Sequence, residues 1–464
     1  MIGGIILLLN DIDKNKPIHM VGIGGTSMSG IAEIIFNMGY KVTGSDMNES
    51  TVTKRLSESG IQVFIGHNAE NVENAGLIVY TAAIKKDNPE LVRANELNIP
   101  QMERSEFLGE LTKLYEKTIS ICGTHGKTTT TSMISLCFIN AHKDPTIQVG
   151  ADLRQLGNLN YRVGNKPYLI IESCEYVRSF LKFHPQTVAL LNIEEDHLDY
   201  YKDIDDIKSA FREFVLSVPD DGYVIVNSDS KNSMDVVEGL KCKVITCGIE
   251  NQNADFVARN IRLQENGHYE FDVSFDGKLF PIKLNVLGYH NVYNALVCIA
   301  TSITHGIQIE TIQASLLDFT GASRRFEYVG MVNGAKIYDD YAHHPTEIKA
   351  TLESALKIKY NKLWVVFQPH TYSRTKALFN EFVNAFDDAD TLILTDIYAA
   401  REKDDGTVSS EMLANEINKK KNNCLYISTI EEVADYLKNN VQKNDIILTI
   451  GAGTVTKIGY MIKE

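Results

Sequence analysis

The chain has little of what marks several large classes of protein. Its 464 residues hold seven cysteines, an odd number scattered from Cys122 to Cys424 with no C-x-x-C pair. That speaks against a disulfide framework and a cysteine zinc site, and the cysteines read as small core residues. The longest apolar run near the start, Ile5 to Leu9 behind Gly3 and Gly4, is far too short to span a bilayer and lacks the basic leader and small-residue cleavage site of a signal peptide. A cytoplasmic protein without membrane insertion is therefore expected. Low-complexity tracts are absent, and 44% apolar with 23% charged residues is ordinary globular composition. Positive charge is in deficit: a formal net charge of -14 repels nucleic acid and anionic membranes at long range. Nucleotide phosphates, if bound, must be held by local devices such as helix N-termini, lysine and magnesium. The run Lys419 to Lys421 reads as the solvated end of a helix.

At ~150 residues per domain the length suggests about three domains, each with its own core. The most informative stretch is Thr118 to Phe138. A β-branched run enters a glycine turn, and Gly123-Thr124-His125-Gly126-Lys127-Thr128 then opens an apolar helix; these residues with Thr129 are the expected ATP-binding set. Backbone N–H groups at such a turn converge at the positive end of a helix dipole and make a phosphate pocket. Lys127 is placed to neutralise β- and γ-phosphates, and the Thr128 hydroxyl to reach magnesium. Position 121 is isoleucine, so the loop is the short G-x-x-G-K-T form of the phosphate-binding loop.

Upstream, Ile18 to Val21 predict a strand that runs into Gly22-Ile23-Gly24-Gly25-Thr26-Ser27, followed by helical spacing from Ile31 to Met38 and a second strand ending in Gly44-Ser45-Asp46. This β-α-β unit has the layout of a dinucleotide-binding fold. Serine at position 27 replaces the third fingerprint glycine, which favours binding of a nucleotide diphosphate over NAD. Gly24, Gly25, Thr26 and Ser27 would hold the diphosphate, and Asp46 a ribose or base. Thr81 and Ala82, at a later strand end, lie where ligands of such sheets bind. The first domain is expected to span 1–106, the second 107–322 and the third 323–464.

In the second domain the strand Tyr168 to Ile171 ends in Glu172-Ser173-Cys174-Glu175, and Thr187 to Leu191 ends in Asn192-Ile193-Glu194-Glu195-Asp196-His197. Glu172 with Thr128 offers the oxygen ligands magnesium prefers; the alternative is a carboxylate that caps the next helix. His197 is either a ligand of a second, looser ion or a buried hydrogen-bonded histidine. From Gly222 to Val286 alternating residues, with turns at Asn266-Gly267 and Asp276-Gly277, predict a small antiparallel insert. Asn291 and Asn294 share one face of the next helix, suited to a base edge or to helix capping. Beyond a linker at Ser323 to Phe326 strands and helices alternate again, with polar clusters at Asp339 to Pro345, Gln368 to Arg374 and Gly451 to Gly453.

Taken together, Gly22 to Gly30, G-T-H-G-K-T at Gly123, N-I-E-x-D-H at Asn192, H-N-x-x-N at His290, R-R-F at Arg324, D-D-Y-A-H-H-P at Asp339 and Q-P-H-T-Y-S-R at Gln368 closely resemble the Mur ligases of peptidoglycan synthesis, in order along nearly the whole chain. The chain departs where many relatives read E-A-D-E-S-D and it reads E-S-C-E-Y from Glu172, and at Thr371, where some relatives carry a second arginine. The resemblance implies an α/β fold of three domains: a Rossmann-like UDP-substrate domain, a central P-loop ATPase domain with a small antiparallel insert, and a C-terminal Rossmann-like domain that closes on ATP and brings the amino acid. It implies an ADP-forming, ATP-dependent ligase that joins L-alanine to the carboxylate of UDP-N-acetylmuramate through an acyl phosphate. ATP and two magnesium ions are the implied cofactors, small molecules the partners, and monomer or homodimer the expected assembly.

The resemblance also assigns roles. Thr128 and Glu172 would ligand one magnesium ion and His197 the second; Asn291 and Asn294 would lie on the adenine side; Arg325 and Asp340 would reach ATP from the third domain. Tyr341, His343, His344, His370 and Arg374 would line the muramoyl and alanine end, with Lys127, His197, Arg325, His344 and Arg374 the catalytic set. Some relatives use a carbamylated lysine beside the second metal, and the helix after His197 offers Lys208 and Arg212. The alternatives are a Mur-type ligase for another amino acid or peptide, a nicotinamide-dependent oxidoreductase, which leaves the P-loop idle, and a nucleotide-dependent switch, which leaves the third domain's histidines idle.

Overall fold

The computed structural model describes residues 12–464 except 82, 166, 199, 266 and 401, so Ala82, the run at 5–9 and Asn266 of the first hairpin turn lie outside the described residues. Two compact units emerge: Met1–Ile193 with Lys208–Thr246 and Val297–Gln308, and Glu194–Ile207 with Cys247–Leu296 and Ile309–Glu464.

The first unit contains a five-stranded parallel sheet in the order Gln62–Ile65, Val42–Asp46, Ile18–Val21, Leu77–Tyr80, Gln101–Glu103. The chain leaves the middle strand first to one side and then to the other. That reversal opens a crevice at the carboxyl ends of Ile18–Val21 and Leu77–Tyr80, where open α/β sheets bind ligands. Ile18, Met20, Leu77, Ile78 and Val79 are fully buried, as parallel strands covered on both faces require.

The unit's second sheet runs Leu159–Arg162, Thr146–Leu153, Tyr168–Glu172, Lys117–Cys122, Thr187–Leu190, Tyr223–Asn227 and Lys243–Gly248. Lys117–Cys122 pairs in parallel with Tyr168–Glu172 on one side and Thr187–Leu190 on the other. This is a second reversal point, and it explains how two later strand ends come to flank the glycine turn after Cys122. The helix Lys127–Asn140 starts at Gly126, whose φ of 85° is left-handed, and buries nearly its whole circumference, from Thr128 to Phe138. With no polar face to show, it can only be a core helix.

In the second unit Phe256–Leu263, His268–Phe275 and Lys278–Leu287 form an antiparallel meander. The antiparallel insert therefore begins at Phe256 and not, as the alternation suggested, at Gly222. Tyr223–Asn227 pairs in parallel with Thr187–Leu190, because a short buried strand carries no period that tells the two pairings apart. The unit's other sheet has the order Glu327–Val332, Ala335–Asp340, Ile446–Ile450, Leu363–Phe367, Thr391–Leu394, Cys424–Tyr426, parallel except for the first pair. One core around Leu352, Val365, Phe367 and Leu448 packs on one face and another around Ile337, Val366, Val433 and Ile447 on the other. The three polar clusters sit at the carboxyl ends of three neighbouring strands: Gly451 N–H donates to Asp340 O at 3.0 Å and Gln368 N–H to Ile450 O at 3.1 Å.

Candidate functional site

In the first unit the turn after Ile18–Val21 is held by its own sheet. The Ser45 carbonyl accepts from the N–H groups of Gly22 (2.8 Å) and Ile23 (3.0 Å), and Asp46 Oδ2 from Gly24 N–H (3.0 Å). A Cβ on Gly24 would sit 2.8 Å from that carboxylate oxygen, so a side chain there would displace Asp46 from the turn. Gly25 precedes the helix Thr26–Asn37, which starts earlier than its apolar spacing indicated. Its first residues are polar and turn-like, yet they supply the helix N-terminus, an anion-binding end. Ser27 Oγ accepts from Arg104 Nη1 at 3.0 Å. The methyl and hydroxyl of Thr81 lie within 4 Å of a Cβ built on Gly22, across the crevice.

The short glycine loop is shaped by Asn192, a residue that motif spacing did not single out as a ligand-binding one. Its backbone carbonyl accepts from Thr124 N–H (3.0 Å), its Oδ1 from His125 N–H (2.8 Å), and its Nδ2 donates to His125 O (3.1 Å). Gly123, with φ of 139°, passes so close that a Cβ would lie 3.0 Å from Asn192 N and O. Two loop amides are thus used to fix the loop's shape. The amides of the helix's first turn, from Gly126 through Thr129, are the ones a helix cannot satisfy internally.

Lys127 Nζ donates to Gly123 O (2.5 Å) and Thr124 O (3.0 Å) and makes a two-oxygen ion pair with Glu175 (3.1 and 2.9 Å). Burial pulls the ammonium toward neutrality, but Glu175 and then Cys174 and Glu172 outweigh it, so the Lys127 pKa lies above the ordinary lysine value. A permanently charged lysine with a carboxylate seated on it is a site whose anion place is prepared. The sequence places Glu175 in the carboxylate-bearing cluster at this strand end but gives it no role of its own. Thr128 Oγ1 donates to Glu172 Oε1 at 3.0 Å, and Glu172 Oε2 accepts from Gly150 N–H at 2.7 Å. Glu172 and Thr128 are thus brought together as a hard-oxygen pair, a donor set that fits magnesium. Lys208 is engaged elsewhere, with Asp235 (2.6 Å), and Arg212 with Val236 O (2.8 Å).

In the second unit His197 has a left-handed backbone, φ 53°, and follows Asp196, whose Oδ1 accepts the His197 N–H at 2.7 Å. Arg374 Nη2 lies 3.9 Å from Asp196 Oδ1, while its Nη1 reaches His370 Nδ1 and O, each at 3.2 Å. Burial works to raise the Asp196 pKa, but His197, Arg374 and His343 hold it below the ordinary carboxylate range. His343 and His370 stand with ring centroids 6.0 Å apart. Burial, the largest influence on each, keeps both imidazoles neutral: His370 falls to about 4, helped by His343 and Arg374, and His343 is lowered against the opposing pull of Glu347.

His344 takes a different position from its neighbour. It is the N-cap of the helix Pro345–Leu356, its Nδ1 accepting from Thr346 N–H at 3.3 Å while Glu347 returns a bond to the His344 N–H. Asp340 accepts from the N–H groups of Phe326 and Ala342, both at 2.8 Å, and its pKa rises to about 6 through burial, opposed by Arg325. Arg325 and Arg324 both pack over the Tyr341 ring, at 5.3 and 4.9 Å, and Arg324 Nε also donates to Asp339 at 3.0 Å. Asn291 and Asn294, both buried, are tied to each other, Asn294 Nδ2 donating to Asn291 Oδ1 at 2.8 Å. Arg324, Phe326 and Thr371 adopt positive φ (61°, 51° and 63°), a concentration of backbone strain of the kind found at working sites.

Three family models match the chain in sequence order: Mur ligase family, catalytic domain, over residues 17–116; Mur ligase middle domain over 121–302; and Mur ligase, glutamate ligase domain, over 324–453. A protein of Acetivibrio thermocellus named UDP-N-acetylmuramate--L-alanine ligase is 48% identical over 98% of this chain and 97% of its own length. One of the same name from Clostridium perfringens is 49% identical over 98% of each. Among solved structures, the UDP-N-acetylmuramate-alanine ligase of Thermotoga maritima superposes with a TM-score of 0.82 at 28% identity, covering 96% of this chain and 98% of that one. A murein peptide ligase from Psychrobacter arcticus shares the fold, with a TM-score of 0.75 at 24% identity over 96% of this chain and 98% of its own.

Proposed function

Because the chain belongs to the Mur ligase family, we propose that it joins L-alanine to the carboxylate of UDP-N-acetylmuramate in peptidoglycan synthesis, with ATP converted to ADP and phosphate. The observation that carries this reading is the prepared anion place at Lys127, in a chain whose relatives of that name match it from end to end. The chemistry calls for it. At neutral pH a carboxylate and an ammonium form a salt, not an amide, so the acid must first be activated. Transfer of the γ-phosphoryl group of ATP to the muramoyl carboxylate gives an acyl phosphate, which the neutral amine attacks with loss of phosphate. Two anions meet in the first step, and their repulsion must be cancelled by fixed positive charge.

Residues 1–106 then form the UDP-substrate domain, with the diphosphate on Gly24, Gly25, Thr26 and Ser27 and with Asp46 and Thr81 beside it. Residues 107–322 form the ATP domain and 323–464 the domain that brings the amino acid. Gly123 to Thr129 wrap the triphosphate, and Lys127 exchanges Glu175 for the γ-phosphate. Thr128 with Glu172 holds one magnesium ion and His197 a second; when bound, these ions supply charge neutralisation on the phosphates. Asn291, Asn294, Arg325 and Asp340 serve ATP. Arg374, Tyr341 and His370 orient the muramoyl carboxylate, and His343 or His344 accepts the proton that the neutral amine sheds as the amide forms. His344 supports this cluster as a helix cap. The protein works in the cytoplasm, as a monomer or homodimer. Among the described residues no helix is long and apolar enough to cross a membrane.

Phosphate release measured with ATP, magnesium, UDP-N-acetylmuramate and single amino acids tests the reading. Release is expected only with both co-substrates and fastest with L-alanine. Equal or faster release with another amino acid at equal concentration would reassign the acceptor, and no release with any would end the ligase reading.

A further inference from the structure

The hairpin formed by Thr146–Leu153 and Leu159–Arg162 meets the helix start after the first glycine turn directly and the Lys127 loop through Glu172. On one side it lies against the strand that bears Glu172: Gln148 pairs with Ile171, and Gly150 N–H donates to Glu172 Oε2 at 2.7 Å. A Cβ on Gly150 would stand 2.8 Å from both oxygens of that carboxylate, so the contact is close-fitting. Glu172 in turn takes the Thr128 hydroxyl of the phosphate loop.

On its other side the hairpin meets the first turn of Thr26–Asn37. Asn160, 1% exposed, donates from Nδ2 to Thr26 O at 2.6 Å, and Gln148, 4% exposed, from Nε2 to Ser27 Oγ at 3.3 Å. Further along the same helix Gly30 leaves room for Asn160 and Tyr161, each 3.4 Å from where its Cβ would be, and the buried Glu33 carboxylate receives a hydrogen bond from Tyr161 and an ion pair from Arg55 at 3.5 Å. Apolar residues would have sealed this contact more simply. Buried amides aimed at a backbone carbonyl and a hydroxyl specify an orientation, because a slip leaves them without partners.

We propose that this hairpin is a positioning element shared by the two nucleotide sites, with Asn160 and Gln148 as its positioning residues, so that filling either site favours filling the other. The inference rests on the reading above of the Gly24 turn as the UDP-substrate site and the Lys127 loop as the ATP site. One ligand orders Thr26 and Ser27, the other orders Thr128 and Glu172, and both bear on the same two strands. The ligand that binds second finds the hairpin already fixed, and the coupling must be reciprocal.

Titration calorimetry on the full chain tests this, with UDP-N-acetylmuramate and a non-hydrolysable ATP analogue with magnesium, each in the absence and presence of the other. In the unaltered chain each ligand is expected to tighten the other by the same factor, about fivefold or more. Asn160→Ala should weaken UDP-N-acetylmuramate about tenfold, leave the nucleotide alone unchanged and bring the coupling factor to one. In turnover the KM for UDP-N-acetylmuramate should rise far more than kcat falls, a split that a general loss of fold does not produce. Should Asn160→Ala lower the melting temperature below the assay temperature, the near-isosteric Gln148→Met serves for the same readouts. Binding of both ligands without coupling, or coupling that survives both substitutions, overturns the shared hairpin and leaves the ligase reading standing. An unaltered chain that binds neither ligand overturns the reading of the sites themselves, and the hairpin with it.

Discussion

Lys127 and Glu175 illustrate how one pair of charges can serve both stability and catalysis. Both are largely buried, with side chains 14% and 3% exposed, and each is the other's counter-ion. Lys127→Ala should abolish phosphate release, by about a thousandfold or more, and should also destabilise the chain by ~3 kcal/mol, because Glu175 is left buried and unpaired. Lys127→Met with Glu175→Gln should recover most of that stability in urea denaturation without recovering activity. Full recovery of turnover in the double variant would contradict the phosphate role of Lys127. Asp340 gives a prediction in pH. Its pKa is raised from the unfolded carboxylate value to about 6, so the folded state holds the proton more tightly and stability falls as pH rises through that window. Relative to Asp340→Asn, the unaltered chain should lose on the order of 3 kcal/mol between about pH 4 and pH 7. A difference that is flat across that range would show that Asp340 is not held in this way. Most of these positions were legible as residue types at strand ends. Their partners were not: Glu175 and Asn192 matter for contacts with residues about 50 and 70 positions away, which no local pattern records.

At the scale of single elements, the phosphate loop depends on two glycines for different reasons. Gly126 starts its helix at a φ of 85°, and Gly123 both has a φ of 139° and passes 3.0 Å from Asn192. Gly126→Ala should cost ~1–2 kcal/mol from its backbone alone, whereas Gly123→Ala should also push the loop off Asn192 and weaken nucleotide binding; equal effects of the two on affinity would argue against Asn192 as the loop's template. The helix Pro345–Leu356 gives a further test, since His344 is both its cap and a residue that the family pattern places in the site. His344→Asn, which preserves a capping group, should keep stability within about 0.5 kcal/mol, whereas His344→Ala should cost ~1 kcal/mol. If the two variants lose activity together with unaltered stability, His344 acts on substrate and not as a cap. The sequence marked strands such as Ile18–Val21, Tyr168–Glu172 and Thr187–Leu190 within a residue or two, because short β-branched runs between turns carry a strong signal, but it did not mark Gln101–Glu103 or the hairpin Thr146–Leu153 and Leu159–Arg162. It misplaced the start of the antiparallel insert and the start of the helix at Thr26, where polar residues do not show a period.

For the whole molecule, binding to the folded chain alone must raise its stability by mass action. Magnesium with ADP at a hundred times its dissociation constant should add about 2.7 kcal/mol in thermal unfolding, and Lys127→Met should remove that increment. An equal increment in the variant would place nucleotide binding elsewhere. The net charge of -14 makes this dependence on magnesium all the more necessary, since the chain as a whole repels the triphosphate it is to bind. The sequence by itself determined the alternation of strands and helices, the two glycine turns, the family and hence the reaction, because each of these is written in residues close together along the chain or in motifs at fixed order. Only the tertiary structure decided which strand ends stand side by side, that Lys127 rests on Glu175, that Asn192 moulds the loop and that one hairpin bears on the helix after the first glycine turn and, through Glu172, on the second. Those facts depend on strand order in the sheets, and strand order is set by packing between segments far apart in sequence.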